Sequence, residues 1–270
     1  MTTFTANPTT DRTRSTRARR FSSLVRAETT ILLRNRTAVF TAVALPFVMA
    51  FAFSTITLEG ISLGAMLTMM LTCTSLLFVI YFTLVTSLVA RREQHTLKRL
   101  YAGEPTPLEI LLAPAVPLWA LLVVQSGIGA IGAALLGTPL VHPLALVLAI
   151  IGGATAWTAL AIISAVWTRT VESAQLTTLP LMFISLLFSG FSIPLEVLPN
   201  FLQTVAHWLP MTPVIDLITL AYTGTGINGR AVTGFADLGL AMTQMLLPLL
   251  AWTLISTWLG VRNFRWDTRA

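Results

Sequence analysis

The 270-residue chain is 55% hydrophobic and only 10% charged, with mean hydropathy +0.79, which excludes an ordinary soluble domain. A net charge of +6 and a pI near 10.7 would suit a nucleic-acid partner in a soluble protein, but here the placement of the charges has another explanation, given below. Cys73 is the single cysteine, which excludes an intrachain disulfide and a cysteine-based metal site.

Residues 1–20 are rich in Thr and Arg and poor in apolar side chains, and are expected to form a disordered, basic cytosolic tail. Ala18-Arg19-Arg20-Phe21 has a faint twin-arginine look. A signal would need a short apolar stretch and a cleavage site next, and Arg26, Glu28, Arg34 and Arg36 follow instead. The first apolar run is therefore read as a retained span. Residues 21–36 read as an amphipathic interfacial helix, with Phe21, Leu24, Val25, Ile31 and Leu32 on one face. Glu28 falls within that apolar face and has no basic residue one turn away. A carboxylate there is costly unless paired. An ion pair on the inner side is expected, with Arg169 or the arginines of the loop after the second span as partner.

Residues 37–270 read as one transmembrane domain with spans at about 37–58, 61–90, 110–136, 143–168, 173–192 and 238–261. The second run exceeds the roughly 20 residues a crossing needs, so it should tilt or project from the bilayer. No charged residue lies between Glu109 and Arg169, so that stretch must hold two spans, hinged at Gly137-Thr138-Pro139 and His142-Pro143. Beyond Ser192, Pro194, Pro199, Pro210 and Pro213 break the chain too often for a crossing, although Phe201, Leu202, Val205, Trp208 and Leu209 are apolar. Residues 193–215 are read as a re-entrant hairpin of two short helices, which survives at membrane depth only when packed on protein.

This partition sorts the charge. Sixteen of the seventeen basic residues lie before the first span, between the second and third, between the fourth and fifth, or after the sixth; only Arg230 lies elsewhere. Loops that stay in the cytosol retain Lys and Arg. The expected topology is six crossings with both termini cytosolic. The preference for Arg over the single Lys98 hints at a GC-rich bacterial genome, hence a bacterial cytoplasmic membrane. Nucleic acid is not an expected partner.

Catalytic chemistry is not legible. Gly127-Ile-Gly129-Ala-Ile-Gly132 matches a dinucleotide fingerprint, but it falls mid-span rather than between a strand and a helix. It reads instead as a small-residue stripe, with Gly129 and Ala133 letting two helices approach. No Walker A or HExxH sequence occurs. His95, His142 and His207 lie in three separate loops, so no metal site is expected. The chain is expected to be no enzyme and to bind no cofactor of its own. The six spans carry no Asp, Glu, Lys or Arg at mid-depth, unlike ion-coupled transporters and pumps. Energy should therefore enter from outside the membrane, and the route should suit an apolar or amphiphilic substrate.

The loop after the second span offers that entry point. Val89, Glu93, Leu97 and Leu100 share a helical face, and Gly103 and Pro105 stop the helix. The loop resembles the coupling-helix region of the ABC-2 type permeases, which runs Arg-Glu-x-x-Gly-Thr-Leu, a Leu shortly after, then Pro-x-x and an acidic residue. Arg92, Glu93, Thr96, Leu97, Leu100, Pro105 and Glu109 fit, with His95 where glycine is usual and Ala113-Pro114 in place of Gly-Lys or Gly-Arg. Phe188-Ser189-Gly190-Phe191-Ser192-Ile193-Pro194, Leu198-Pro199 and Leu209-Pro210-Met211-Thr212-Pro213 are similar to that family's fifth span and outer hairpin. The resemblance covers about residues 21–265. It implies an all-α permease working as a homo- or heterodimer with a second permease subunit, above two copies of a cytosolic ATPase subunit that binds ATP and Mg. It further implies docking of the ATPase on Arg92, Glu93, Thr96, Leu97 and Leu100, and an outer cap or gate at Ser189, Gly190, Pro194, Pro199 and Pro210. Many relatives of this length are similar to the daunorubicin-resistance permeases, which implies export of a drug or antibiotic. Export of a lipid or polysaccharide precursor on the same scaffold, and a non-transporting immunity or scaffold subunit, are the alternatives.

Overall fold

The computed structural model describes residues 9–53, 60–97, 105–190, 195, 198–227, 229–232 and 234–264. Among these the chain is helical throughout, apart from turns and an isolated antiparallel bridge between Thr225 and Ala231. In chain order the elements are α1 (Thr9–Arg34), α2 (Arg36–Phe53), α3 (Leu63–Thr74), a π-helical segment π1 (Ser75–Phe82), α4 (Thr83–Glu93), α5 (Pro107–Leu112), α6 (Ala115–Leu135), α7 (Pro143–Trp167), α8 (Val171–Phe188), α9 (Asn200–His207), α10 (Thr212–Thr223) and α11 (Phe235–Asn263).

Among the described residues, five helical runs are long and apolar enough to cross a membrane: Leu63–Glu93, Pro107–Leu135, Pro143–Trp167, Val171–Phe188 and Phe235–Asn263. The protein is thus an all-helical membrane protein. Within α2 the apolar stretch is shorter, Ala42–Ala52. The N-terminal helix begins at Thr9, well before the expected boundary at Phe21. Arginine, five of the twelve residues from Thr9 to Arg20, is a good helix former and extends the helix beyond its apolar face. On its apolar face Leu32 packs on the core, whereas Ile31 is 59% exposed.

The long second run is continuous from Leu63 to Glu93 and is widened at π1. Hydroxyls mark both ends of the wide turn. Thr74 donates to the Met70 carbonyl at 2.6 Å and Thr83 to the Phe78 carbonyl at 2.9 Å, five residues back. Pro46 lacks the N–H that would bond Ala42, and the side-chain amide of Gln125 on α6 donates to that freed carbonyl at 2.9 Å. The oxygen of the same amide accepts from Ser75, so Gln125 joins α2, α6 and π1.

The span α7, largely enclosed like the run Leu63–Glu93, packs against α11, α10, π1 and α4. Beside it α3 lies along α6 at very close range. A Cβ on Gly64 would fall 2.7 Å from the Ala133 Cα, and one on Gly129 would fall 2.8 Å from the Thr68 Cα. Gly129 and Ala133 are therefore the expected small-residue seam, whereas Gly127 and Gly132 face open space. Large apolar side chains such as Phe51, Leu135, Leu176 and Leu254 point outward, as lipid requires.

Candidate functional site

At the end of the bundle where α4 meets the turn between α7 and α8, three consecutive charged residues reach three different elements. Arg91 grips Glu28 of α1 through its two terminal guanidinium nitrogens, and the two side chains retain only 14% and 8% exposure. Arg92 is 5% exposed and donates to the carbonyl of Ala165 at 2.9 Å and to that of Thr168. These are carbonyls at the C-terminus of α7, which has no further turn to satisfy them. The exposed Glu93 accepts a hydrogen bond from the Val171 N–H, at the N-terminus of α8, at 3.2 Å. A guanidinium thus meets the negative end of one helix and a carboxylate the positive end of the next.

The clamped turn is itself rigid. Thr170 and Ser173 form a reciprocal capping box at the start of α8. The hydroxyls of Thr168 and Thr177 lie 2.8 Å apart.

This arrangement narrows one expectation, which allowed Arg169 or a loop arginine, and corrects another. The partner of Glu28 is Arg91 and not Arg169, which is exposed in the turn. Helix α4 carries Arg91 to the face of α1, whereas Arg169 sits beyond the end of α7, pointing outward. Leu97, expected on the edge offered to a partner, is fully buried within this chain's own core. Helix α4 ends at Glu93, and the backbone turns through His95 at φ 55°, which rotates Leu97 inward. That left-handed φ is the physical reason glycine suits position 95. Thr96 is half-buried, Glu93, Gln94 and His95 are exposed, and Leu100 lies outside the described residues. Arg19, Arg20, Ser23, Leu24 and Ala27 line a shallow groove together with Pro105, so α1 also flanks the far end of this loop. There Thr106 caps α5, with Glu109 completing a capping box.

At the opposite end, α8 stops at Phe188. Ser189 is buried and donates to the Ser185 carbonyl, and Gly190 follows at φ 82° with Leu195 packed over it. Pro199 precedes α9, and the buried Pro210 separates α9 from α10; Pro194 lies outside the described residues. The turn between the two short helices is held by Thr212, which donates to Ala206 at 2.6 Å, and by Trp252 of α11, which donates to Trp208 at 2.7 Å. The hairpin runs further than expected, since α10 continues to Thr223 and ends on Gly224 in a left-handed cap. Its Ala221 carbonyl accepts from the N–H groups of Val141 and His142 at 2.8 and 3.0 Å.

One chemical group escaped the sequence reading. Asp216 lies in α10, and α10 is packed among α7, α3 and α11. The signal was a single acid in an apolar helix bounded by Pro213 and Gly224, overlooked because the segment is too short to count as a span.

Among the described residues no cluster of His, Cys, Asp or Glu could hold a metal. The fold defines a helical membrane protein whose charged side chains clamp one turn. The model of the ABC-2 type transporter family matches residues 19–222, and the chain belongs to that family. The matched range runs from α1 to the end of α10 and so contains both the clamp and the hairpin. It is a permease component of an ABC-type transporter, and such a component works with an ABC ATPase subunit. No curated protein matches the chain.

Proposed function

We propose that this chain is the permease of an ATP-driven exporter that moves a hydrophobic or amphiphilic compound, such as a drug or antibiotic, out across a bacterial cytoplasmic membrane. The observation that carries the reading is the family match over residues 19–222. In this reading α2 completes six crossings, both termini are cytosolic, and the second permease subunit is a copy of this chain or a close relative. The ATPase is a separate chain, and ATP and Mg belong to it.

The ATPase docks on the segment from Arg92 to Leu100, through its exposed turn at Glu93, Gln94 and His95. The clamp supports the mechanical part of this reading. A push on the turn is passed by Arg92 to the end of α7 and by Glu93 to the start of α8, while Arg91 ties the same segment to α1. One loop thereby moves three elements together. The apolar spans carry no fixed charge in their interior, which suits an amphiphile better than an ion.

The test is purification of the tagged chain in mild detergent from cells that also make a candidate ATPase, followed by reconstitution into vesicles. Co-purification of the ATPase, and ATP-dependent movement of a fluorescent amphiphile in the outward sense, are expected. A stable chain that captures no ATPase, or a complex that hydrolyses ATP with no amphiphile moved, would count against export.

A further inference from the structure

Nine of the twelve residues of α10 are buried, and the remaining three, Asp216, Thr219 and Thr223, are partly accessible. They recur at i, i+3 and i+7, so they form one stripe on one face of the helix. Thr223 is satisfied by the Thr219 carbonyl and by Thr225. Among the described residues, the carboxylate of Asp216 and the hydroxyl of Thr219 have no hydrogen-bond or ion-pair partner.

The depth of this pair is set by two contacts. The C-terminal end of α10 is tied to the start of α7 through Ala221. Further down, a Cβ on Gly153 of α7 would lie 3.2 Å from a methyl of Val214. At 1.5 Å per residue, Gly153 is about 15 Å along a helix about 37 Å long. Asp216, two residues from Val214 toward the tied end, therefore lies about 12 Å in, a third of the way along that helix. The other described acids are on α1 or at helix ends: Glu93 closes α4, and Glu109, Glu172 and Asp237 occupy first turns.

A carboxylate at such depth is expensive unless something positive meets it. Among the described residues none packed around α10 supplies that charge. No Lys or Arg occurs in α3, π1, α6, α7 or α10, and α11 carries only Arg262 in its last turn. We propose that Asp216 and Thr219 form a cation-binding face that anchors the basic group of an amphiphilic cargo. The carboxylate supplies the charge and the Thr219 oxygen a second acceptor, one turn away. This deepens the export reading and rests on it, since it assigns the cargo a positive charge on an apolar body.

The experiment needs no ATPase. The full chain is placed in nanodiscs of zwitterionic lipid and titrated with tetraphenylphosphonium and with tetraphenylborate, two bodies of like shape and opposite charge. The wild-type chain should prefer the phosphonium. Asp216→Asn should weaken phosphonium binding about tenfold or more and leave the borate unaffected, with Asp216→Glu restoring the preference. Equal binding of the two ions by wild type, or an unchanged preference in a folded Asp216→Asn chain, overturns the proposal. So does a dimer that weakens equally in Asp216→Asn and Arg230→Gln with no change in phosphonium binding, because the carboxylate then pairs with the Arg230 of a second copy. Outward, ATP-driven movement of a neutral amphiphile by a chain that shows no phosphonium preference would sink this inference and leave the export reading standing.

Discussion

At the basic end of the bundle, Arg91, Arg92 and Glu93 tie α1, α7 and α8 to one short segment through charge acting on charge and on helix ends. At the opposite end no ion pair is found among the described residues. There the chain relies on backbone hydrogen bonds from Val141 and His142 to Ala221, on left-handed glycines at 190 and 224, and on the close approach of Gly64 to Ala133. The difference is one of reach. Three adjacent side chains can couple elements distant in sequence and move them as a unit, whereas a glycine contact sets the spacing of one pair. In the proposed reading the basic end transmits, and the opposite end holds its shape.

The comparison can be broken most sharply at Arg92. Arg92→Ala leaves the carbonyls of Ala165 and Thr168 without their donor inside the protein, a loss of about 2–4 kcal/mol. Thermal unfolding of the purified chain should show it, and ATPase stimulation should fall further than the lost stability accounts for. Arg92→Lys keeps the charge but not the fork and should fall between. Stimulation that simply tracks stability in both variants would remove the transmitting role.

Gly64→Val probes the opposite end. The added carbons meet backbone at Ala133, and about 1–3 kcal/mol of destabilisation is expected with stimulation per folded complex unchanged. A loss of coupling there would erase the distinction between the ends. Gly190→Leu is milder, because the strain of a side chain at φ 82° is about 1–2 kcal/mol and the neighbour is the movable Leu195 side chain. A cap at this position should lose stability only. A gate should also change export or basal ATPase rate in an intact complex, and assembly and both rates unchanged in Gly190→Leu would remove the gate.

The Glu28–Arg91 pair is the mildest member of the clamp. A double-mutant cycle with Glu28→Gln and Arg91→Gln should give a coupling energy of about 1 kcal/mol, since the pair is not fully enclosed. A cycle of zero would mean that α1 is held by its apolar contacts alone. Smallest of all, and of opposite sign, His95→Gly should raise stability by about 0.5–1 kcal/mol by removing a side chain from a left-handed turn. His95→Ala should bring no gain, and equal gains from both would point to the imidazole and not the backbone.

The sequence by itself determined the helical class, the apolar spans, the tight turn at Arg169, the proline-broken segment before the last span and the glycine seam. Each depends on periodicity, on turn chemistry or on a run of apolar residues, and those are local properties. The coupling-loop and hairpin motifs were legible for the same reason, and the family model covers both. What only the tertiary structure decided is which groups meet. Glu28 visibly needed a cation, but only the path of α4 selects Arg91 over Arg169. Arg92 and Leu97 stand in a loop that reads as exposed, and they are buried because the chain turns at His95 and because the end of α7 lies above Arg92 with carbonyls to satisfy. Asp216 lay in a segment too short to count as a span, and its depth follows from the packing of α10 along the first half of α7. Hydropathy measures how much a stretch of chain avoids water; the partners a buried polar group finds are set by helices distant in sequence, and those distances close only in the folded bundle.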